Sequence, residues 1–421
     1  MKVIPELTVT KSKARVLTIK TEMFKTASLT LNILMPIEMN TAENTVLSSF
    51  LVHSTKEYNT LAKLNAKLEE LYGAMLSGNI SKFGESYRLQ FSISCIDDRL
   101  SLDGESILLP SLDLLLSVLL NPLTDDSGFS QKQLETEIRL AVEDIESEIN
   151  DKRSYALTRM METMCSDEAY GLTRAEILEN VKKVTPKSLA AAWKDLLVKG
   201  TVQLNAVGNI DRSVCEEKIR TAFDTLTGRE PLELQTVFVE EAEDITEKTE
   251  TLEINQSQLV MGFRTGMKNA DDNFYAERIM IDVFGGGPYS RLFMNVREKM
   301  SLCYFCSARL MRQKGIMVIQ SGIEKENKQK VIDEILHQLE IMKNGEFSDE
   351  DFEASKRAIC DAYKGFNDTP DGLDVYYGTQ LSGDIVTPEK TIEEFNNVTR
   401  EEVTAAANKL SLDTIYMLSG N

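Results

Sequence analysis

Residues 284–306, FGGGPYSRLFMNVREKMSLCYFC, bring together side chains that could do chemistry. Three glycines precede a predicted helix carrying Arg291, Arg297, Glu298 and Lys299. A predicted strand follows, with Tyr304 set between Cys303 and Cys306. Three chemistries use residues of these types. A phosphate cradle at a helix N-terminus would need G-x-x-x-x-G-K-[ST]. No Lys-Ser/Thr follows the glycines, and Pro288 suits a tight helix entry instead. A thioredoxin-like C-x-x-C would need its first cysteine at a helix N-terminus. Here the motif runs on into SARLM, which reads as strand. On a regular strand, residues three apart face opposite sides, so the two sulfurs should diverge and fill core space. The third chemistry is a substrate clamp. A guanidinium offers several fixed hydrogen-bond donors and a phenol offers one. Aimed at peptide carbonyls, Arg297 and Tyr304 could orient a scissile bond and stabilise an oxyanion. The bland alternative is a helix-surface arginine paired with an acid and a half-buried strand tyrosine.

Other reactive groups are sparse. The chain has two histidines, His53 and His337, and a lone histidine more often packs or faces solvent than binds a metal. The 17 methionines are scattered as core filler, and Trp193 reads as core in a helix ending the first half. The six cysteines are equally scattered, which suits reduced thiols and a cytoplasmic location. A formal charge of −20 on 421 residues disfavours nucleic acid and acidic membrane surfaces as partners, and is compatible with basic or neutral peptides. The opening MKVIPELTVTKSKARVLTIK has no apolar run of the signal-peptide kind. The stretch ILLPSLDLLLSVLLNPL (107–123) is too short for a membrane span and predicts a buried helix.

The elements that must position these groups occur twice. Val184-Thr185 matches Val398-Thr399, 214 residues on, and Gly208-Asn209 matches Gly420-Asn421 at 212. Phe129-Ser130 matches Phe347-Ser348 at 218. One nearly constant offset, close to half the length, indicates a duplicated domain. Alternation at 27–37 and 87–96 predicts strands, and the 3.6-residue period at 60–74 and 131–149 predicts helices. The second half follows the same order. It reads as strand at 258–265, helix at 274–284, strand at 315–323, then helices at 331–342 and 347–363. Antiparallel-rich sheets with helices banked on one face make an α+β fold of two homologous sandwich domains. The divisions read from the sequence are 1–225 and 240–421, joined by a linker at 226–239 whose Gly and Pro interrupt both periods.

The whole chain resembles the pitrilysin/insulinase family of zinc peptidases, which includes the mitochondrial processing peptidases. The specific part is a Gly-rich turn (Gly285 to Gly287), S-R-L-F (Ser290 to Phe293), V-R-E-K (Val296 to Lys299), and a Tyr seven residues beyond the Arg, here Arg297 and Tyr304. Active relatives carry H-x-x-E-H on a first-half helix, two imidazoles for zinc and a Glu as base. By resemblance that helix is TVLSSFLVHST (45–55), with Thr45 and Ser49 at the two His positions and Ser48 at the base position. No H-x-x-E-H exists in the chain, so no metal ligands are expected in it. Glu137, Glu143 and Asp144 lie where the family's third ligand falls; without imidazoles they read as a solvated helix face.

The resemblance implies a division of labour. In two-chain bacterial members one subunit supplies zinc and the other supplies Arg and Tyr, across a chamber. This chain looks like the second, a zinc-free accessory subunit of a heterodimeric peptidase with no activity by itself. Arg297 and Tyr304 would grip an extended peptide for an H-x-x-E-H partner that holds the zinc. An inert scaffold that kept the peptidase fold is the rival reading, and no constellation of residues supports a self-sufficient carboxylate or thiol enzyme.

Overall fold

The structure is a computed structural model that describes residues 4–125 and 128–420. Met1 to Val3 of the opening stretch and Asn421 of the repeat lie outside them. The chain forms two compact units, each built on one sheet.

The first unit comprises residues 1–145, 174–235 and 365–388. Its strands, in spatial order, are Glu6–Val9, Arg15–Lys20, Thr201–Gly208, Thr26–Pro36, Ser86–Ile96 and Met75–Phe83. The long central strand TASLTLNILMP is buried along almost its whole length. One face of it is apolar, with Leu29, Leu31 and Ile33 fully buried. Helices Leu108–Leu120 and Pro186–Lys199 pack on this strand, and Arg212–Phe223 packs on Arg15–Lys20. The predicted buried helix is therefore Leu108–Leu120, and among the described residues no helix is long and apolar enough to cross a membrane. The other face is polar: Ser28, Thr30 and Asn32, with Gln203 and Asn205 beside them, are all buried. Helix Pro370–Tyr377 covers it. Its Asp374 accepts hydrogen bonds from Thr30 Oγ1 (2.7 Å) and Asn205 Nδ2 (2.9 Å). Burial raises the Asp374 carboxyl against those two donors.

The second unit comprises residues 146–173, 236–364 and 389–421. Its strands run Cys303–Met311, Ile316–Ile323, Ser257–Arg264, Ser411–Ser419 and Thr246–Thr251. Leu259, Met261, Phe263, Met317 and Ile319 face a core shared with helix Phe274–Gly285 and with Ile335 and Leu339 of helix Lys328–Lys343. The opposite face receives helix Lys152–Met164. Gly262 permits the approach, since a Cβ there would lie 2.5 Å from Met164 Sδ. Arg264 finishes that face, 3% exposed and held between Glu168 (2.9 Å) and Asp413 (2.7 Å). Buried charge needs such pairing.

The duplication is visible in both units. Thr201–Gly208 runs parallel to Arg15–Lys20 and antiparallel to Thr26–Pro36. Ser411–Ser419 runs parallel to Thr246–Thr251 and antiparallel to Ser257–Arg264. The matched Val-Thr pairs place Thr185 and Thr399 as N-caps, each in a capping box with the residue three on, Ser188 and Glu402. Asn40 and Asn273 are both left-handed before their helices, at φ 53° and 52°. The units are nonetheless not sequential halves. Residues 146–173 belong with the second unit and 365–388 with the first. Which face a helix covers is a tertiary matter that local periodicity does not encode.

Four residues past each left-handed asparagine sits a buried polar side chain, Asn44 in one unit and Glu277 in the other. Asn44 donates Nδ2 to Met39 O. Burial pushes the Glu277 carboxyl from 4.5 up to about 8, against the pull of Thr265 and Lys409. The folded chain thus keeps a proton that the unfolded chain releases above pH 4.5, and stability falls as pH rises from there to about 8. Glu277→Gln removes that loss. Thermal melts should show the variant gaining on the parent steadily between pH 5 and pH 8.5; a constant difference over this range would mean that Glu277 is ionised when folded.

Candidate functional site

In the first unit, helix Thr41–Phe50 runs into a 3₁₀ turn at Leu51–His53. It lies directly on the edge strand Met75–Phe83, where a Cβ on Gly78 would be 1.9 Å from Ser48 O. The three hydroxyls that the resemblance aligns with the zinc motif all turn back onto this helix. Thr45 Oγ1 donates to Thr41 O (2.9 Å), Ser48 Oγ to Thr45 O (2.8 Å) and Ser49 Oγ to Val46 O (3.2 Å). Neutral hydroxyls engaged in this way do not fit a zinc ion, and Ser48 cannot serve as a general base at neutral pH. Among the described residues no three His, Cys, Asp or Glu side chains converge to hold a metal.

One acid departs from its expected place. Glu143 and Asp144 are solvent-exposed on helix Gln131–Ser147, as a solvated face requires. Glu137 is 2% exposed, and its Oε1 lies 2.6 Å from His53 Nδ1. Gln133, a turn earlier, donates Nε2 to Phe50 O (3.3 Å). The two helices that could have shared a metal are held by an imidazole–carboxylate bond and an amide strap. His53 is therefore neither free surface nor simple packing. The sequence signal was the single His beside the degenerate motif; its partner lies 84 residues away.

In the second unit, helix Phe274–Gly285 ends at the glycine run. A Cβ on Gly285 would sit 2.7 Å from both Ala308 Cβ and Ala308 N, so only glycine lets the helix end rest on strand Cys303–Met311. Tyr289 donates its hydroxyl to Asp282 Oδ1 (2.6 Å), and Arg291 Nε donates to Gln338 Oε1 (3.0 Å). The run is a structural turn. The predicted helix after it is a π-helix over Phe293–Lys299. Its wide closure continues past the end, with Met300 N donating to Asn295 O (3.0 Å). Arg297 consequently lies over the ring of Phe293, with 4.5 Å from Cζ to the centroid. Its side chain is 41% exposed and its Nε is 3.6 Å from Glu298. Ser301, left-handed at φ 53°, turns the chain into the strand.

That strand opens with a β-bulge. Cys303 pairs with Ile323 and Phe305 with Gly322, leaving Tyr304 as the extra residue. Tyr304 is 59% exposed and donates its hydroxyl to Glu324 Oε1 (2.7 Å). Hydrogen bonding to that carboxylate raises the phenol's pKa, which keeps it a donor. The bulge also corrects an expectation. Cys306 pairs with Ser321, two residues from Ile323, so Cys303 and Cys306 share a face rather than diverging. Arg297 and Tyr304 thus lie on consecutive irregular segments of one unit, with no direct hydrogen bond between them among those described. Phe293, which lies under Arg297, closes the S-R-L-F motif read from the sequence; Glu324, which holds Tyr304, had no distinguishing signal there.

The duplicated α+β fold is that of metallopeptidase-like proteins. Residues 183–359 match the family described as Peptidase M16 inactive domain. That stretch is similar to the inactive type of domain of the M16 peptidases, the pitrilysin/insulinase family. The chain is 29% identical, over 96% of its own length and 95% of the other, to a probable inactive metalloprotease, YmfF, of Bacillus subtilis. A conserved protein from Enterococcus faecalis V583 has the same fold at 26% identity, with a TM-score of 0.87 and 99% of each chain covered. A Pseudomonas fluorescens structure described as a peptidase M16 inactive domain matches in fold, with a TM-score of 0.79 at 17% identity, covering 99% of this chain and 98% of that one.

The His53–Glu137 bond has a consequence for stability. The hydrogen bond to Glu137 raises the imidazole's pKa above 6.5, outweighing burial. Its stabilisation is full below the unfolded value of 6.5 and fades as pH rises through the raised folded value. His53→Ala should lower the denaturation midpoint more at pH 6 than at pH 9. Equal losses at both would show that packing alone matters there.

Proposed function

We propose that this chain is the zinc-free subunit of a two-chain M16 peptidase, in which it binds and orients an extended peptide for a zinc-bearing homologous partner. The observation that carries this reading is how Arg297 and Tyr304 are presented. Both are substantially exposed, yet each is mounted on a fixed irregularity, a π-helix and a β-bulge. Irregularities of these kinds are enriched at functional sites. Arg297 would direct its guanidinium at a peptide carbonyl. Tyr304 would transfer its hydroxyl from Glu324 to a second carbonyl, so that the two donors fix the bond presented to the partner's zinc. Six unpaired cysteines support a reducing compartment, and we read the subunit as cytoplasmic.

One observation favours a second reading. Tyr304 already has a carboxylate partner, as it would in a scaffold that kept the motif for packing. Coexpression with an H-x-x-E-H homologue separates the two. The single chain should leave an unstructured peptide intact with zinc supplied, and the pair should cleave it. Arg297→Ala and Tyr304→Phe should each lower turnover about 10²–10³-fold, with zinc content and pairing unchanged. Undiminished turnover in both variants would assign the chain to the scaffold class, and cleavage by the single chain would overturn both readings.

A further inference from the structure

The bulge at Tyr304 sets up a second site. Because Cys303 and Cys306 lie opposite Ile323 and Ser321, their side chains are neighbours on the core face of the sheet. Cys306 is 4% exposed within the apolar cluster, and Cys303 is half-buried at its rim. The Cys306 thiol lies beside the Cys303 sulfur on this face, and Ser321 and the Arg297 guanidinium lie close by. Interaction with the Cys306 thiol, foremost, holds the Cys303 thiol down at about 7 despite burial, while Cys306 is pushed well above its ordinary value. The other four cysteines go the opposite way. Burial pushes Cys95 up to about 11, Cys165 and Cys215 up to about 12, and raises Cys360. One accessible nucleophilic sulfur thus sits against one buried thiol that can resolve it.

We propose that Cys303 and Cys306 form an oxidisable dithiol that reacts with hydroperoxides and closes across the bulge carrying Tyr304. The Cys303 sulfur attacks the terminal peroxide oxygen; the S–O bond forms, the O–O bond breaks, and hydroxide or alkoxide leaves and takes up the thiol's proton. The Cys306 sulfur then attacks Cys303; the S–S bond forms, the S–O bond breaks, and the hydroxyl departs with the Cys306 proton as water. Two thiols lose two electrons and the peroxide gains them. Opposite partners two residues apart lie about 6.6–6.8 Å from one another along a strand. That is the upper end of the Cα separation a disulfide spans, so closure tightens the bulge and moves Tyr304. The effect on Tyr304 rests on the role assigned to it above; the thiol chemistry does not.

The test uses the full chain. Without oxidant at pH 7, iodoacetamide followed by peptide mapping should label Cys303 at least about ten times faster than any other cysteine. After one equivalent of hydrogen peroxide, Cys303 and Cys306 should lose labelling together. Their shared peptide should be two hydrogens lighter, and dithiothreitol should reverse both changes. Cys306→Ser should stop at a sulfenic acid trapped by dimedone. Peroxide that leaves both thiols free, or carries Cys303 to sulfinic acid without engaging Cys306, would overturn the proposal. With the zinc-bearing partner present, the disulfide form should cleave peptide at least about tenfold more slowly than the reduced form. A disulfide that forms while turnover stays constant would refute the coupling to Tyr304, leaving the dithiol standing.

Discussion

Each sheet in this protein has one apolar and one polar face, and the polar face must be covered by something that hydrogen-bonds. Buried hydroxyls, amides and guanidinium groups without partners would cost about 1–3 kcal/mol apiece. Asp374 answers this requirement in the first unit, accepting hydrogen bonds from Thr30 and Asn205. In the second, Glu250 accepts from Tyr155, Arg159 and Tyr416, and Glu168 and Asp413 enclose Arg264. These carboxylates fix one helix on each sheet. The sheet so fixed becomes the rigid base from which the edge strands and their irregular ends project.

Where the resemblance puts a metal in active relatives, this chain makes local bonds. An active site of this family would leave imidazoles and a carboxylate pointing at an ion. Here the hydroxyls at those positions close on their own helix, and Glu137 of helix Gln131–Ser147 pairs with His53. Hydroxyls that donate to carbonyls four or three residues back have their hydrogen bonding satisfied within the helix. That region has ordinary helix packing, while the segment carrying Arg297 and Tyr304 has backbone forms that ordinary packing does not require.

Much of this was legible in the sequence, for definite reasons. Long periodic segments such as 131–149 and 331–342 declared their helices, and the repeated Val-Thr pairs, which are capping positions, exposed the duplication. The missing H-x-x-E-H could be read without any structure. The strand Thr246–Thr251, TEKTET, gave no alternation because it is an edge strand, exposed at every residue but Glu250. The π-helix and the bulge were invisible because each depends on a single extra residue that no propensity marks. That one residue reversed the reading of Cys303 and Cys306. Glu137 looked like a surface acid because its partner is far away in sequence.

The interleaving of the chain bears on how it is made. A domain that ends at residue 235 could begin folding while the remainder is still being translated. The first unit cannot finish in that way, since the segment that shields Thr30 and Asn205 begins only at Gly365. Until the ribosome has delivered it, the earlier sheet waits half-clothed. Completion of the first unit is therefore tied to the arrival of residues 365–388, well after its own sheet has been made.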